Sequence, residues 1–320
     1  WKKMAPIYPN VTCTPFKIER YEPKNGEEGP WLLSSVPPKA QFDFHTVNCV
    51  DPKSFQEKFI DPTWFTSFIS KGSLNGLLRK KKTKKGERTS PKGGSVHKSE
   101  HVVISRPILC DEELFIKPTG GTIVETHRLG TLTTNSFEIY DSNNVKVAHV
   151  NREGVNITNE ASTSSSSNDT ANRKKKRART NPKHNKAFIS RKQLTPMMCV
   201  NFCQDFTGTN PIHHDPEKAT QAGYKAPIWA GTQGLNIIFE HIFQIASATN
   251  STIDSIEYIV EFKRPAHWSD GLELWFGQKK SEIAGIGDYS LVNNEGKACL
   301  EMSVKSMTFA NICNFARNKL

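Results

Sequence analysis

The sequence has no run of 18 apolar residues, so it contains no segment able to cross a membrane as a helix. Apolar residues are scarce: 36% of the chain is hydrophobic and 9% aromatic, low for a chain that is packed throughout, so part of it is expected to lie outside any core. Seven cysteines (Cys13, Cys49, Cys110, Cys199, Cys203, Cys299 and Cys313) are scattered without metal-ligand spacing. Cys199 and Cys203 form the one close pair, and no second pair or His pair completes a zinc site. Free thiols in a reducing compartment are the expectation. The first residue is Trp1 rather than Met, which leads to the expectation of a fragment or a truncated gene model.

What is abundant is positive charge, and it is concentrated. The net charge is +11 over 320 residues. Residues 79–98 carry nine Lys/Arg and one acid, and residues 173–192 carry ten Lys/Arg and no acid. The remainder is mildly acidic, so the chain reads as an acidic body with two basic inserts.

Such a length suits two domains of ordinary size. Residues 1–36 read as an N-terminal extension rich in Pro, Lys and Glu, and 37–150 as a first folded unit interrupted by a basic insert at 79–100. Residues 151–192 hold a serine run and then Arg173-Lys174-Lys175-Lys176-Arg177, without apolar periodicity, which predicts a disordered basic linker. Residues 193–320 read as a second folded unit.

The two units look like distant copies. Arg106-Pro107 precedes the acidic Asp111-Glu112-Glu113 and an apolar run. Arg264-Pro265 likewise precedes Ser269-Asp270 and an apolar run. Later, Phe137 to Tyr140 and Tyr289 to Val292 are each followed by an Asn-Asn turn and another strand-like stretch. The clearest helix spans 230–248, with Leu235, Ile238, Phe239, Ile242, Phe243 and Ile245 on one broad face. After it, 256–262, 272–278, 285–292 and 298–307 alternate as strands do. A shorter helix is expected at 62–78 in the first unit.

Chemistry concentrates ahead of the long helix, in Phe206-Thr207-Gly208-Thr209-Asn210-Pro211-Ile212-His213-His214-Asp215-Pro216. An imidazole ionises near neutral pH and can give or take a proton there. Pro211 fixes the turn and Asn210 orients the loop through its amide. Asp215 is expected to cap a helix starting at Pro216, with Glu217 in its first turn, and His214 is given no role. Gly231, at the start of the long helix, either packs closely or lets a substrate oxygen reach the free N–H groups there.

This stretch resembles the Gly-Asp-x-Asn-Pro-Leu/Ile-His signature of the MaoC-like, (R)-specific enoyl-thioester hydratases and 3-hydroxyacyl-thioester dehydratases. The resemblance is strong over 193–310, weaker over 37–150 and absent from the inserts. It implies an α+β double hotdog, each half an antiparallel sheet wrapped around a central helix, the first half degenerate. It also implies reversible hydration of trans-2-enoyl thioesters to (R)-3-hydroxyacyl thioesters, with His213 as base and acid, Asn210 and Gly231 contacting substrate, and no metal or cofactor. The substrate brings its own thioester carrier, coenzyme A or acyl carrier protein.

One residue departs from the signature. The family carboxylate lies five residues before the histidine, where this chain has Gly208. Asp205, eight residues before His213, is the candidate substitute; a true loss of activity and a sequence or gene-model error are the competing explanations. A decayed, non-catalytic acyl-thioester-binding or scaffold protein is the alternative, and a hotdog thioesterase using Glu240 is a third reading. The basic inserts read first as solvated loops, second as attractors of a thioester carrier and third as nucleic-acid patches, since they lack interleaved aromatics. Asn318-Lys319-Leu320 is a variant of the Ser-Lys-Leu peroxisomal address. Peroxisome or mitochondrion is expected, with the nucleus left open by the basic patch. A monomer of two hotdogs or a homodimer fits this organisation.

Overall fold

The structure is a computed structural model, and it describes residues 13–23, 27, 29–47, 58–74, 77–78, 95–127, 130–157, 181–193, 195–207, 210–279 and 283–311. The runs 79–85 and 173–179 and the terminal tripeptide lie outside these residues.

The first half contributes strands β1 (Lys17–Tyr21), β2 (Trp31–Ser35), β3 (Ser95–Ile104), β4 (Leu114–His127), β5 (Gly130–Asp141) and β6 (Lys146–Ile157), with helices α1 (Pro38–Val47) and α2 (Trp64–Leu74). The second contributes β7 (Ala187–Gln193), helices α3 (Pro196–Phe202), α4 (Pro216–Gln221) and α5 (Gly231–Ala248), and strands β8 (Ser251–Phe262), β9 (Gly271–Gln278), β10 (Gly287–Val292) and β11 (Ala298–Asn311). All pairings are antiparallel, in one sheet ordered β1-β2-β4-β5-β6-β3-β8-β11-β10-β9-β7.

That order is a duplicated one. Apart from β1, each half places its strands as first, third, fourth, fifth, second, and the two second strands, β3 and β8, meet at the centre. At this seam His101 faces Ile259, flanked by Val102 opposite Tyr258 and Glu100 opposite Val260. The period-two alternation turns those four flanking side chains inward, where all are buried.

The copies share turn chemistry as well. Asp141 Oδ1 accepts from the N–H groups of Asn143 and Val145, both at 2.9 Å. Asn293 Oδ1 accepts from Glu295 and Lys297 in the same spacing. Each turn needs one left-handed residue, met by Asn144 (φ 60°) and Gly296 (φ 70°).

Helix α5 fulfils its apolar pattern: Leu235, Ile238, Phe239, Ile242 and Phe243 are all buried in the core shared with the sheet. Each such side chain contributes about 1.5–3 kcal/mol through burial. Helix α2 does the same for the first half with Trp64, Phe65, Phe68 and Ile69. Its start at Trp64 follows Pro62, a residue that cannot donate a backbone hydrogen bond and is tolerated only at a helix entrance.

The sheet extends into segments expected to lie outside the folded units. Residues 17–21 and 31–35, read as extension, are strands, because Leu32 and Leu33 pair with Ile116 and Phe115 of β4. Strand β6 continues past residue 150 to Ile157, and β7 begins at Ala187 inside the expected linker, pairing with β9. Residues 95–98 of the basic insert open β3.

Candidate active site

The chain around His213 is built from two short caps and a returning strand-like segment. Asn210 begins a single 3-10 turn, Pro211–His213, its Oδ1 3.4 Å from Ile212 N. Asp215 then caps α4, accepting from Glu217 N at 2.9 Å and Lys218 N at 3.1 Å, with Pro216 in the first helical position as the sequence predicts. Beyond α4 the chain returns, and Ile228 bridges to His267 while Trp229 N donates to Ala266 O at 2.8 Å.

This return fixes the imidazole. His213 Nδ1 lies 3.0 Å from Ile228 O. A carbonyl only accepts, so Nδ1 carries the proton and Nε2 presents its lone pair. Burial pushes the His213 pKa down to about 4; the bond to Ile228 O works against this and the neighbouring His214 works with it. The ring is therefore a neutral base at physiological pH. Its backbone is held too: Trp268 Nε1 donates to His213 O at 3.0 Å, and Trp268 N donates to Pro227 O at 3.1 Å. Asp270 pins that loop by accepting from His267 N at 2.7 Å.

Three residues beyond Ile228, Gly231 opens α5. Ala230 precedes it as the cap residue, its N–H bonded to Gln233 Oε1 at 3.2 Å. The first N–H groups of a helix have no partner within it, and the helix dipole makes this end electropositive. A Cβ at Gly231 would lie 2.4 Å from the Phe262 ring, so the close-packing reading of this glycine is realised here.

Asp205 faces elsewhere. It sits in the single π turn Cys203–Thr207 that ends α3. Its backbone carbonyl accepts from Lys71 Nζ at 2.6 Å, and its carboxylate bonds to the Cys13 thiol, whose pKa rises to about 12 chiefly through burial and then through Asp205. Lys71 and Cys13 both belong to the first half. Among the described residues, no hydrogen bond or ion pair joins Asp205 to His213; Gly208 and Thr209, between them, lie outside those residues. Glu240, in mid-α5, is buried and ion-paired with Lys192 at 2.9 Å. No group of three or more His, Cys, Asp or Glu suited to a metal occurs among the described residues.

The first half carries a counterpart of this site without its chemistry. Phe59 bridges to Leu109 as Ile228 does to His267, Ile60 N donates to Ile108 O as Trp229 N does to Ala266 O, and Glu112 accepts from Leu109 N as Asp270 does from His267 N. Stepping forward from these pairs, Asp61 matches Ala230, Pro62 matches Gly231 and Phe65 matches Gly234. Pro62 has no N–H to offer an oxygen. A cavity of about 20 Å³ remains there, lined by Phe59, Ile60, Pro62, Phe65 and Ile104 among others. A second, wider groove of about 310 Å³ runs past Arg106, Cys110 and Asp141. Neither is lined by His213.

Sequence reasoning passed over Trp268, Phe262 and His97. Trp268 was the most accessible of them, because it falls three residues after Pro265 in the duplicated Arg-Pro turn.

No protein-family model matches the sequence, and no characterised protein matches it by sequence. Solved structures do match by shape. HtdX from Mycobacterium tuberculosis superposes with a TM-score of 0.59 at 15% identity, covering 84% of this chain and 97% of that one. A MaoC-like dehydratase from Phytophthora capsici gives 0.60 at 15% identity, covering 91% and 96%. A Mycobacterium tuberculosis protein described as having a double hotdog fold gives 0.53 at 9% identity, covering 93% and 97%. At these identities the likeness establishes the fold alone: the chain is a double hotdog.

Proposed function

We propose that this double hotdog reversibly hydrates trans-2-enoyl thioesters, of coenzyme A or an acyl carrier, to (R)-3-hydroxyacyl thioesters. One observation carries the reading: His213 is held in a single tautomer by Ile228 O, with Nε2 as the base, in a segment that leads to the N-terminus of α5.

The chemistry balances on these groups. Nε2 takes a proton from water as the water oxygen bonds to Cβ. The π electrons move toward Cα and the thioester oxygen, which a free N–H of the first turn of α5 stabilises. The imidazolium then returns a proton to Cα, leaving a hydroxyl on Cβ, a hydrogen on Cα and a neutral ring. His213 serves as both base and acid in this scheme, which requires no carboxylate.

A second reading, a binding module without turnover, is favoured by the engagement of Asp205 with Lys71 and Cys13. Loss of enoyl absorbance on mixing the full chain with trans-2-butenoyl-CoA, with chiral analysis of the product, separates the two. Turnover that survives His213→Ala removes the mechanism, and release of free thiol marks a thioesterase instead.

A further inference from the structure

We infer that Phe262, backed by His97 from the first half, forms the end wall of the acyl cleft and restricts it to short-chain acyl thioesters. The inference rests on the hydration reading for the placement of the thioester at α5.

Phe262 ends β8, and its Cε1 and Cδ1 lie 2.4 and 2.6 Å from where a Gly231 Cβ would stand. Real contacts of a side-chain carbon are never that short, so glycine at 231 is what allows the ring to rest on the helix entrance. A thioester whose oxygen reaches the first N–H groups of α5 therefore has this ring as its neighbour.

The ring is supported from behind the seam between the halves. The His97 imidazole packs against Phe262 with centroids 4.3 Å apart and planes inclined at 34°. His97 Nε2 lies 3.2 Å from Glu100 Oε1. Glu100 is fixed in turn by Arg152 Nε at 2.6 Å and Thr66 Oγ1 at 2.5 Å. Arg152 also donates to Thr66 O at 2.8 Å and Ser70 Oγ at 3.0 Å, both on α2. An ion pair with this many partners anchors the wall to α2, so the wall does not retreat cheaply for a long chain.

The duplicated fold supplies an internal comparison. Ile104, which precedes Arg106-Pro107 as Phe262 precedes Arg264-Pro265, takes the place of Phe262 in the first half. There it lines the 20 Å³ cavity together with Pro62 and Phe65. The same position thus borders open space in one half and carries the larger aromatic ring in the other. The helix opposite answers with small residues: Gly231 and Gly234 replace Pro62 and Phe65. Space released by the glycines is taken by Phe262 and, at Gly234, by Leu291, whose Cδ1 lies 3.1 Å from where a Cβ would stand.

The test compares chain lengths within each protein. Specificity constants are measured for trans-2-butenoyl-, hexenoyl- and decenoyl-CoA with the full chain, Phe262→Ala, Phe262→Leu and His97→Ala. One methylene in a pocket is worth roughly 10-fold or more, so the wild-type chain is expected to favour butenoyl over decenoyl by about that factor at least. Phe262→Ala is expected to shift the decenoyl-to-butenoyl ratio upward by roughly 10-fold or more, with Phe262→Leu between. Misfolding lowers all substrates together and leaves the ratio unmoved, and Phe262→Leu provides a folded comparison if the alanine variant collapses. Calorimetric binding of butyryl- and decanoyl-CoA to the same proteins reads the wall without turnover. If no substrate is turned over but the binding ratio shifts as expected, the hydration reading fails and the wall stands. A ratio unchanged in both Phe262 variants, a wild-type preference for the long chain, or no binding of either acyl-CoA overturns the inference.

Discussion

Asn236 on the central helix of the second half donates from Nδ2 to Asp61 Oδ2 of the first half at 2.8 Å, with both residues wholly buried. Around this bond the protonation states are fixed by elimination. Trp64 Nε1, which can only donate, bonds to Gln41 Oε1 and so orients that amide. Gln41 Nε2 then donates to His45 Nε2 at 2.8 Å, leaving the proton of His45 on Nδ1, 3.9 Å from Asp61 Oδ2. His45 is a neutral ring: burial lowers its pKa to about 3, against a hydrogen bond to the Asn236 side chain. Burial likewise raises Asp61 to about 7, against hydrogen bonds from Thr63 and Asn236. The halves are thus joined by a cluster held close to neutrality.

The titration of Asp61 sets a pH dependence of stability. Its folded pKa lies above the unfolded value, so its contribution is full below about pH 4 and is lost as pH rises through 7. The loss is on the order of 4 kcal/mol. His45 and His213 have depressed values and act in the opposite direction between pH 3 and 6.5. Comparison with Asp61→Asn cancels them. The Tm advantage of that variant over wild type is expected to grow between pH 4 and 7 and to level off above 8; a flat difference contradicts a neutral buried carboxyl.

Removing the base should be decisive. His213→Ala and His213→Gln are each expected to lower turnover by about 100-fold or more. The pH profile of the wild-type specificity constant should stay level through the usual histidine range and fall only toward pH 4, because burial has moved the His213 ionisation there. A fall centred near 6.5 would show a ring open to water rather than the one bonded to Ile228.

Cys13, Cys110 and Cys299 should be inert in the native chain. Burial drives the Cys110 and Cys299 thiols to about 12, with Asp111 and Asp270 respectively adding to it, and Cys13 is raised similarly by burial and Asp205. The thiolate is the reactive form. Peptide mapping after brief iodoacetamide treatment at pH 7.5 is expected to find these three unlabelled until denaturant is added. Rapid labelling of Cys299 would show that the loop behind Trp268 opens.

Much of this molecule was legible in its sequence because the information is local. The apolar stripe of α5, the Arg-Pro and Asn-Asn turns of both copies, and Asp215 as cap of α4 all follow from short-range rules, and all occur. Strands β1 and β2 were read as extension because a two-strand edge pairs with β4, some 80 residues downstream, and no local signal announces it. The destination of Asp205 was hidden for the same reason, since Lys71 and Cys13 are 134 and 192 positions away. Phe262 and His97 are ordinary strand residues until the seam between β3 and β8 brings them together.

The Glu100–Arg152 pair allows a final prediction that separates stability from specificity. Burial opposes the charge on Glu100, yet Arg152 and His97 more than offset it and hold the pKa near 2. Removing one partner strands the other: Arg152→Met leaves a buried carboxylate with Thr66 and His97 for company, and about 3–5 kcal/mol of destabilisation is expected. Replacing both, as Glu100→Leu with Arg152→Met, removes the stranded charge and should recover most of that loss. Denaturant titration of the two single variants and the double variant measures the coupling. A double variant as unstable as the sum of the singles would mean that the pair contributes through separate contacts to α2 rather than as an ion pair. Since the double variant also leaves His97 without its glutamate, the same proteins show whether stability can return while the support behind Phe262 stays loosened.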